Sequence, residues 1–136
     1  MENKEKENCI FCKIIGGKIK CAKIYEDKKY FAFLDMNPVT IGHTLVLPKK
    51  HKDYIFDLND KEYKELMLKA KELAKILKLK LKPKRVGLAV EGFGVPHVHV
   101  HLIPINKADE LNKRRKDRLN PTETELNKLE QKIIGK

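Results

Sequence analysis

The sequence has no tryptophan, and phenylalanine and tyrosine together make up only 7% of its 136 residues. Single-strand nucleic-acid grooves stack bases on clustered aromatics, and no aromatic-rich run is present to build one. No apolar stretch approaches the roughly 20 residues that a membrane-crossing helix needs. The opening Met1-Glu2-Asn3-Lys4-Glu5-Lys6-Glu7-Asn8 lacks the apolar centre of a secretory leader, so a cytoplasmic location and no membrane partner are expected. Cysteine is scarce and odd in number: Cys9, Cys12 and Cys21. One C-x-x-C pair plus a single cysteine is not a disulfide framework, and in a reducing compartment the pair reads as a metal or redox motif. Acidic residues are in deficit, 19 against 30 Lys+Arg, for a net charge of +11. That surplus favours polyanions, whether nucleotides, nucleic acid or anionic membrane, without choosing among them. Most of the lysines fall where a solvated helix face would put them, so a dedicated nucleic-acid surface is not favoured.

The length suits one domain. Residues 1–8 are charged and expected to be flexible. Residues 9–15 read as an apolar turn of helix stopped by Gly16-Gly17. Strands are expected at 23–26 and 30–35 around a polar turn, at 42–48 closed by Pro48, at 85–90 and at 97–103. Between them Asn59 caps a helix over 60–82, with Glu62 completing a capping box and Pro83 ending it. Leu66, Ala70, Leu73 and Leu77 recur along it at helical spacing. Beyond Asn106 the chain is basic, with Leu119, Leu126, Leu129 and Ile133 marking helical segments interrupted at Pro121. This order predicts an α+β fold: about five mostly antiparallel strands, a short N-terminal helix and one long helix. The domain is expected over 9–105, with a basic helical extension over 106–136.

The chemistry concentrates in Pro96-His97-Val98-His99-Val100-His101-Leu102-Ile103-Pro104. In a strand, alternate side chains share a face, so His97, His99 and His101 face one way while Val98, Val100 and Leu102 enter the core. Imidazoles spaced roughly 6.6–7 Å apart along a strand cannot all bind one ion at ~2.1 Å. A neutral imidazole can instead serve as nucleophile, acid or single metal ligand.

The run His97-Val98-His99-Val100-His101-Leu102-Ile103 resembles the signature of the histidine triad (HIT) family. The resemblance extends to Cys9-Ile10-Phe11-Cys12-Lys13-Ile14-Ile15, to Phe31-Ala32-Phe33-Leu34-Asp35-Met36-Asn37-Pro38, and to Gly42-His43-Thr44-Leu45-Val46-Leu47-Pro48-Lys49-Lys50-His51. It implies a HIT-like fold and attack on a nucleotide α-phosphate by His99, through a nucleotidyl-histidine intermediate. His101 and His43 are then expected to hydrogen-bond phosphate oxygens or the leaving group. Asp35 matches the acid that holds the ribose hydroxyls. Ile10, Phe11, Ile14, Phe33 and Leu34 match the walls around a purine base. Some bacterial and archaeal members hold one structural zinc, and the matching ligands here are Cys9, Cys12, His51 and His97. The resemblance also implies a homodimer built through the long helices and central strands.

The segment Glu91-Gly92-Phe93-Gly94-Val95-Pro96 departs from the family. Phe93 and Gly94 stand where a glutamine and a serine or glutamate are usual, so backbone N–H groups of Gly92, Gly94 and Val95 are left to approach phosphate. The tryptophan-containing C-terminal contact is absent too. The basic tail is expected to attract anionic substrates without supplying a residue to bond breaking. The implied activity is purine nucleoside phosphoramidase. The alternatives are dinucleoside polyphosphate hydrolysis, or a weakly active zinc-stabilised nucleotide- or RNA-binding module.

Overall fold

The computed structural model describes residues 6–113 and 115–135. Residues 1–5 of the expected flexible N-terminus, and Arg114, lie outside the described residues. A five-stranded sheet forms in the order β1-β2-β3-β5-β4, every neighbouring pair antiparallel. Its strands are β1 (Lys23–Glu26), β2 (Tyr30–Leu34), β3 (Thr44–Pro48), β4 (Arg85–Ala89) and β5 (Val100–Ile105). Helix α1 (Ile10–Ile15) precedes the sheet, α2 (Asp60–Leu81) joins β3 to β4, and α3 (Glu123–Ile134) follows β5.

Strand alternation sorts the core into two clusters. Tyr30, Ala32, Leu34, Val46, Val100 and Leu102 meet the α2 stripe of Leu66, Ala70, Leu73 and Leu77. Phe31, Phe33, Leu45 and Leu47 meet Phe11 and Ile14 of α1 on the other face. Covering both faces explains why β2 and β3 are buried at every position, as for strands that read as continuous apolar runs. Each fully buried leucine contributes roughly 1.5–3 kcal/mol.

Helix α2 starts where the sequence places it. Glu62 N donates to Asn59 Oδ1 at 2.8 Å, and Asn59 N donates back to Glu62 Oε1 at 3.3 Å. Strand β5 begins three residues later than the sequence predicts. Continuing the β3–β5 register of Val46 opposite Val100 puts Val98 opposite Pro48, which has no N–H to give. Val98 N instead donates to Lys52 O at 2.7 Å, and His97 N to Val95 O at 2.8 Å. The tail is not a loose appendage: α3 packs on α2 and β1, and Leu126 and Ile133 enter the main core.

Candidate active site

The triad histidines part company at the start of β5. Their protonation follows from obligatory backbone partners. His99 Nδ1 lies 2.6 Å from His97 O. A carbonyl only accepts, so His99 carries its proton on Nδ1 and keeps a lone pair on Nε2. Val39 N–H donates to His43 Nδ1 at 3.0 Å, which puts the His43 proton on Nε2. That nitrogen is 2.9 Å from His101 Nδ1, so it donates, and His101 in turn offers Nε2–H. Burial pushes His43 and His101 down to about 4, and burial lowers His99 as well, so the relay is neutral at pH 7. The 3.7 Å approach of His43 Nε2 to Asp35 Oδ2 is therefore a weak dipolar contact, not an ion pair.

A cleft of about 570 Å³ opens in front of His99 and His101. Ile10, Phe11, Ile14, Phe33 and Asp35 form one part of its lining, and Glu91, Gly92, Phe93, Gly94 and Val95 another. Phe11 packs edge-on against His99, ring centroids 4.8 Å apart, and against Phe33 at 5.6 Å, so α1 braces the central histidine directly. Asp35 is fixed by Asn37 N, which donates to Oδ1 at 2.8 Å and leaves Oδ2 for other partners. Gly92 has φ of 88°, a conformation that favours glycine and gives the 91–95 loop its close turn. Phe93 is 89% exposed, an unpacked ring at the rim.

Two expected cleft residues lie elsewhere. Leu34 follows Phe33 on β2 and so points the opposite way, into the main core. His43 is only 1% exposed and does not line the cleft. Both its nitrogens are committed, to Val39 and His101, so it bears on the cleft through His101. Several lining residues escaped the sequence reading, among them Met36, Leu45, Glu91 and, with the greatest chemical consequence, Arg118. Arg118, from the tail expected to attract anionic substrates without supplying a residue to bond breaking, lines the cleft with His99 and His101. Within a run of basic residues no spacing singles it out; only the fold brings it back to the site.

The remaining triad member faces a different constellation. His97 Nε2 donates to Pro48 O at 2.8 Å, leaving the Nδ1 lone pair 3.5 Å from both Cys9 Sγ and Cys12 Sγ. His51 Nδ1 sits 3.3 Å from Cys12 Sγ. The four donor atoms lie within 4.8 Å of one another. Tetrahedral zinc with bonds of 2.3 Å to sulfur and ~2.1 Å to nitrogen separates S from N by about 3.5 Å, so the spacing fits that ion. Burial, then the hydrogen bond and charge of Cys9, raise the Cys12 thiol to about 11. Cys21 is outside this group, and burial raises its thiol to about 11.

Comparison with known proteins agrees with this geometry. Residues 16–108 match the HIT domain family. A Bacillus subtilis protein named Protein hit is 41% identical over 105 residues, 72% of this chain and 71% of its own. An adenosine 5'-monophosphoramidase of Candida albicans is 36% identical over 115 residues, 76% of this chain and 72% of its own. The crystal structure of a Zn-bound histidine triad family protein from Mycobacterium smegmatis superposes with a TM-score of 0.77 at 26% identity, covering 95% of this chain and 94% of that one. The order of strands, the histidine cluster and these similarities together establish that the chain belongs to the HIT family of nucleotide hydrolases.

Proposed function

We propose that the protein is a purine nucleoside phosphoramidase, with His99 as nucleophile. The observation that carries this reading is the free Nε2 lone pair of His99, fixed by the Nδ1 hydrogen bond to His97 O, at a cleft also lined by Asp35. The nucleoside half lies between Ile10, Phe11, Ile14 and Phe33, with Asp35 accepting from the ribose hydroxyls. His99 Nε2 attacks the α-phosphorus, and an N–P bond forms as the substrate P–N bond breaks. The leaving nitrogen departs with that electron pair and takes a proton from solvent. Water then attacks the nucleotidyl-histidine, releasing the nucleoside monophosphate and restoring neutral His99. His101 Nε2–H and the backbone N–H groups of Gly92, Gly94 and Val95 serve the phosphoryl oxygens, while His43 holds His101 in tautomer. The phosphoramidase activity of the Candida albicans relative supports the P–N bond as the target.

The experiment is turnover of a fluorogenic adenosine 5'-phosphoramidate by wild type and His99→Ala. Wild type turns over and forms an acid-labile adenylyl adduct; the variant loses hydrolysis by at least about a thousandfold yet still binds AMP. Near-full activity in His99→Ala would sink the mechanism.

The same reading assigns one structural zinc per chain to Cys9, Cys12, His51 and His97, a closed ligand set with no open position. It also assigns a cytoplasmic homodimer. Edge strand β4 carries exposed Leu88, Val90 lies just beyond it, and the exposed Tyr54 and Phe56 share a hollow with both. Another copy of the chain would cover them.

A further inference from the structure

Catalysis at an α-phosphate needs positive charge, because the group arrives anionic and the displacement spreads charge over its equatorial oxygens. The cleft histidines do not bring that charge. His43 and His101 are neutral at pH 7, and His99 uses its lone pair. Among the described residues lining the cleft, Asp35 and Glu91 are anionic and Arg118 is the one cation. Without Arg118 the cleft would repel the group it is built to receive.

Arg118 is held there rather than passing by. It follows the short 3-10 turn Arg115–Asp117, and the two residues after it are clamped to the loop that follows Asp35. Asn37 Nδ2 donates to Leu119 O at 2.8 Å and to Asn120 Oδ1 at 2.7 Å. Leu119 N donates to Pro38 O at 3.0 Å. The ribose-side loop and the arginine are thereby locked together. Arg118 Nε is buried and has no hydrogen-bond partner among the described residues, a condition that is costly until an acceptor arrives. A guanidinium matches the paired oxygens of a phosphate.

We propose that Arg118 is the phosphate-binding cation of this site, donating to the non-bridging oxygens of the substrate α-phosphate while His99 attacks phosphorus. The proposal rests on the nucleotide-hydrolase reading above and adds to it a residue from outside the triad. The tail thus supplies charge that the 91–96 loop, with Phe93 and Gly94, does not.

The test compares AMP with adenosine, which differ only in the phosphate. Calorimetric affinities for both are measured on the full chain as wild type, Arg118→Gln and Arg118→Lys, alongside hydrolysis of adenosine 5'-phosphoramidate. In Arg118→Gln, AMP should weaken at least about tenfold while adenosine shifts less than about threefold, and kcat/KM should fall about a hundredfold. Arg118→Lys keeps the charge and the stem but not the fork, so its losses should be intermediate. Should Arg118→Gln fail to fold by circular dichroism, the AMP-to-adenosine ratio of Arg118→Lys decides, with a fall of about threefold or more expected. Equal weakening of AMP and adenosine, or no weakening of either, overturns the assignment. A wild type that binds AMP through Arg118 but turns nothing over overturns the hydrolase reading and leaves Arg118 standing. An active wild type with an indifferent Arg118→Gln does the reverse.

Discussion

At the scale of residues, five imidazoles do three different jobs, and hydrogen bonding to fixed backbone groups tells them apart. His97 and His51 turn to sulfur, His99 presents a lone pair, and His43 and His101 form a neutral relay. Neutral buried histidines make the fold acid-sensitive. His43 and His101 sit at about 4 in the folded chain against an ordinary 6.5. The unfolded chain therefore binds more protons between those values, and stability rises with pH across that window. Chemical denaturation from pH 7 down to pH 4 should show a progressive loss, up to roughly 3 kcal/mol for the fully buried His43, and His43→Gln should flatten the curve. A flat wild-type profile would contradict the neutral relay. Cys9→Ser should lower bound zinc from about one per chain to well under half and depress Tm, because structural zinc contributes directly to folding free energy. Elemental analysis and calorimetry read both. That His99 and His101 reach one cleft was legible in sequence, because residues two apart in an extended chain share a face even though the β5 ladder starts only at Val100. The inward turn of Leu34 was legible in principle, since Phe33 and Leu34 cannot share a face. The commitment of both His43 nitrogens was not, because it depends on Val39 N and His101 arriving from separate segments.

At the scale of elements, the clearest difference from expectation is the tail. A Thr122-x-x-Glu125 capping box starts α3, with Glu125 N donating to Thr122 Oγ1 at 3.1 Å and Thr122 N to Glu125 Oε1 at 3.1 Å. That signal and the apolar pair Leu126 and Ile133 stood in the sequence, but their spacing alone does not reveal that the helix docks on α2 and β1. Ile133 is 1% exposed, so Ile133→Ala should cost about 2–5 kcal/mol in urea denaturation. Truncation after Lys107 should lower Tm at every salt concentration. A truncated chain as stable as wild type would show that α3 is dispensable. The other elements were legible within a few residues because their boundaries carry strong chemistry: the Asn59 cap, Pro83 and Pro48. Strand β5 slipped because the proline that ends β3 also ends the partner's ladder, a non-local effect that one strand's own residues do not reveal.

At the scale of the whole molecule, the exposed apolar side chains of Tyr54, Phe56, Leu88 and Val90 gather beside β4. Light scattering should return twice the 15.8 kDa chain mass at micromolar concentration, and Phe56→Lys should shift it toward the monomer. A wild-type monomer would refute the dimer. The cleft is assembled from α1, the end of β2, the 91–95 loop, the start of β5 and the tail. These segments are far apart in sequence, so no fragment of the chain carries the site. A small molecule that fills the cleft therefore has affinity for the folded chain alone, and at free concentration c it raises the free energy of unfolding by RT ln(1 + c/Kd), more for a tighter ligand at a fixed concentration. Melting temperature becomes a meter of occupancy: a library of nucleotide conjugates ranked by thermal shift would be ranked by affinity, before any reaction is observed.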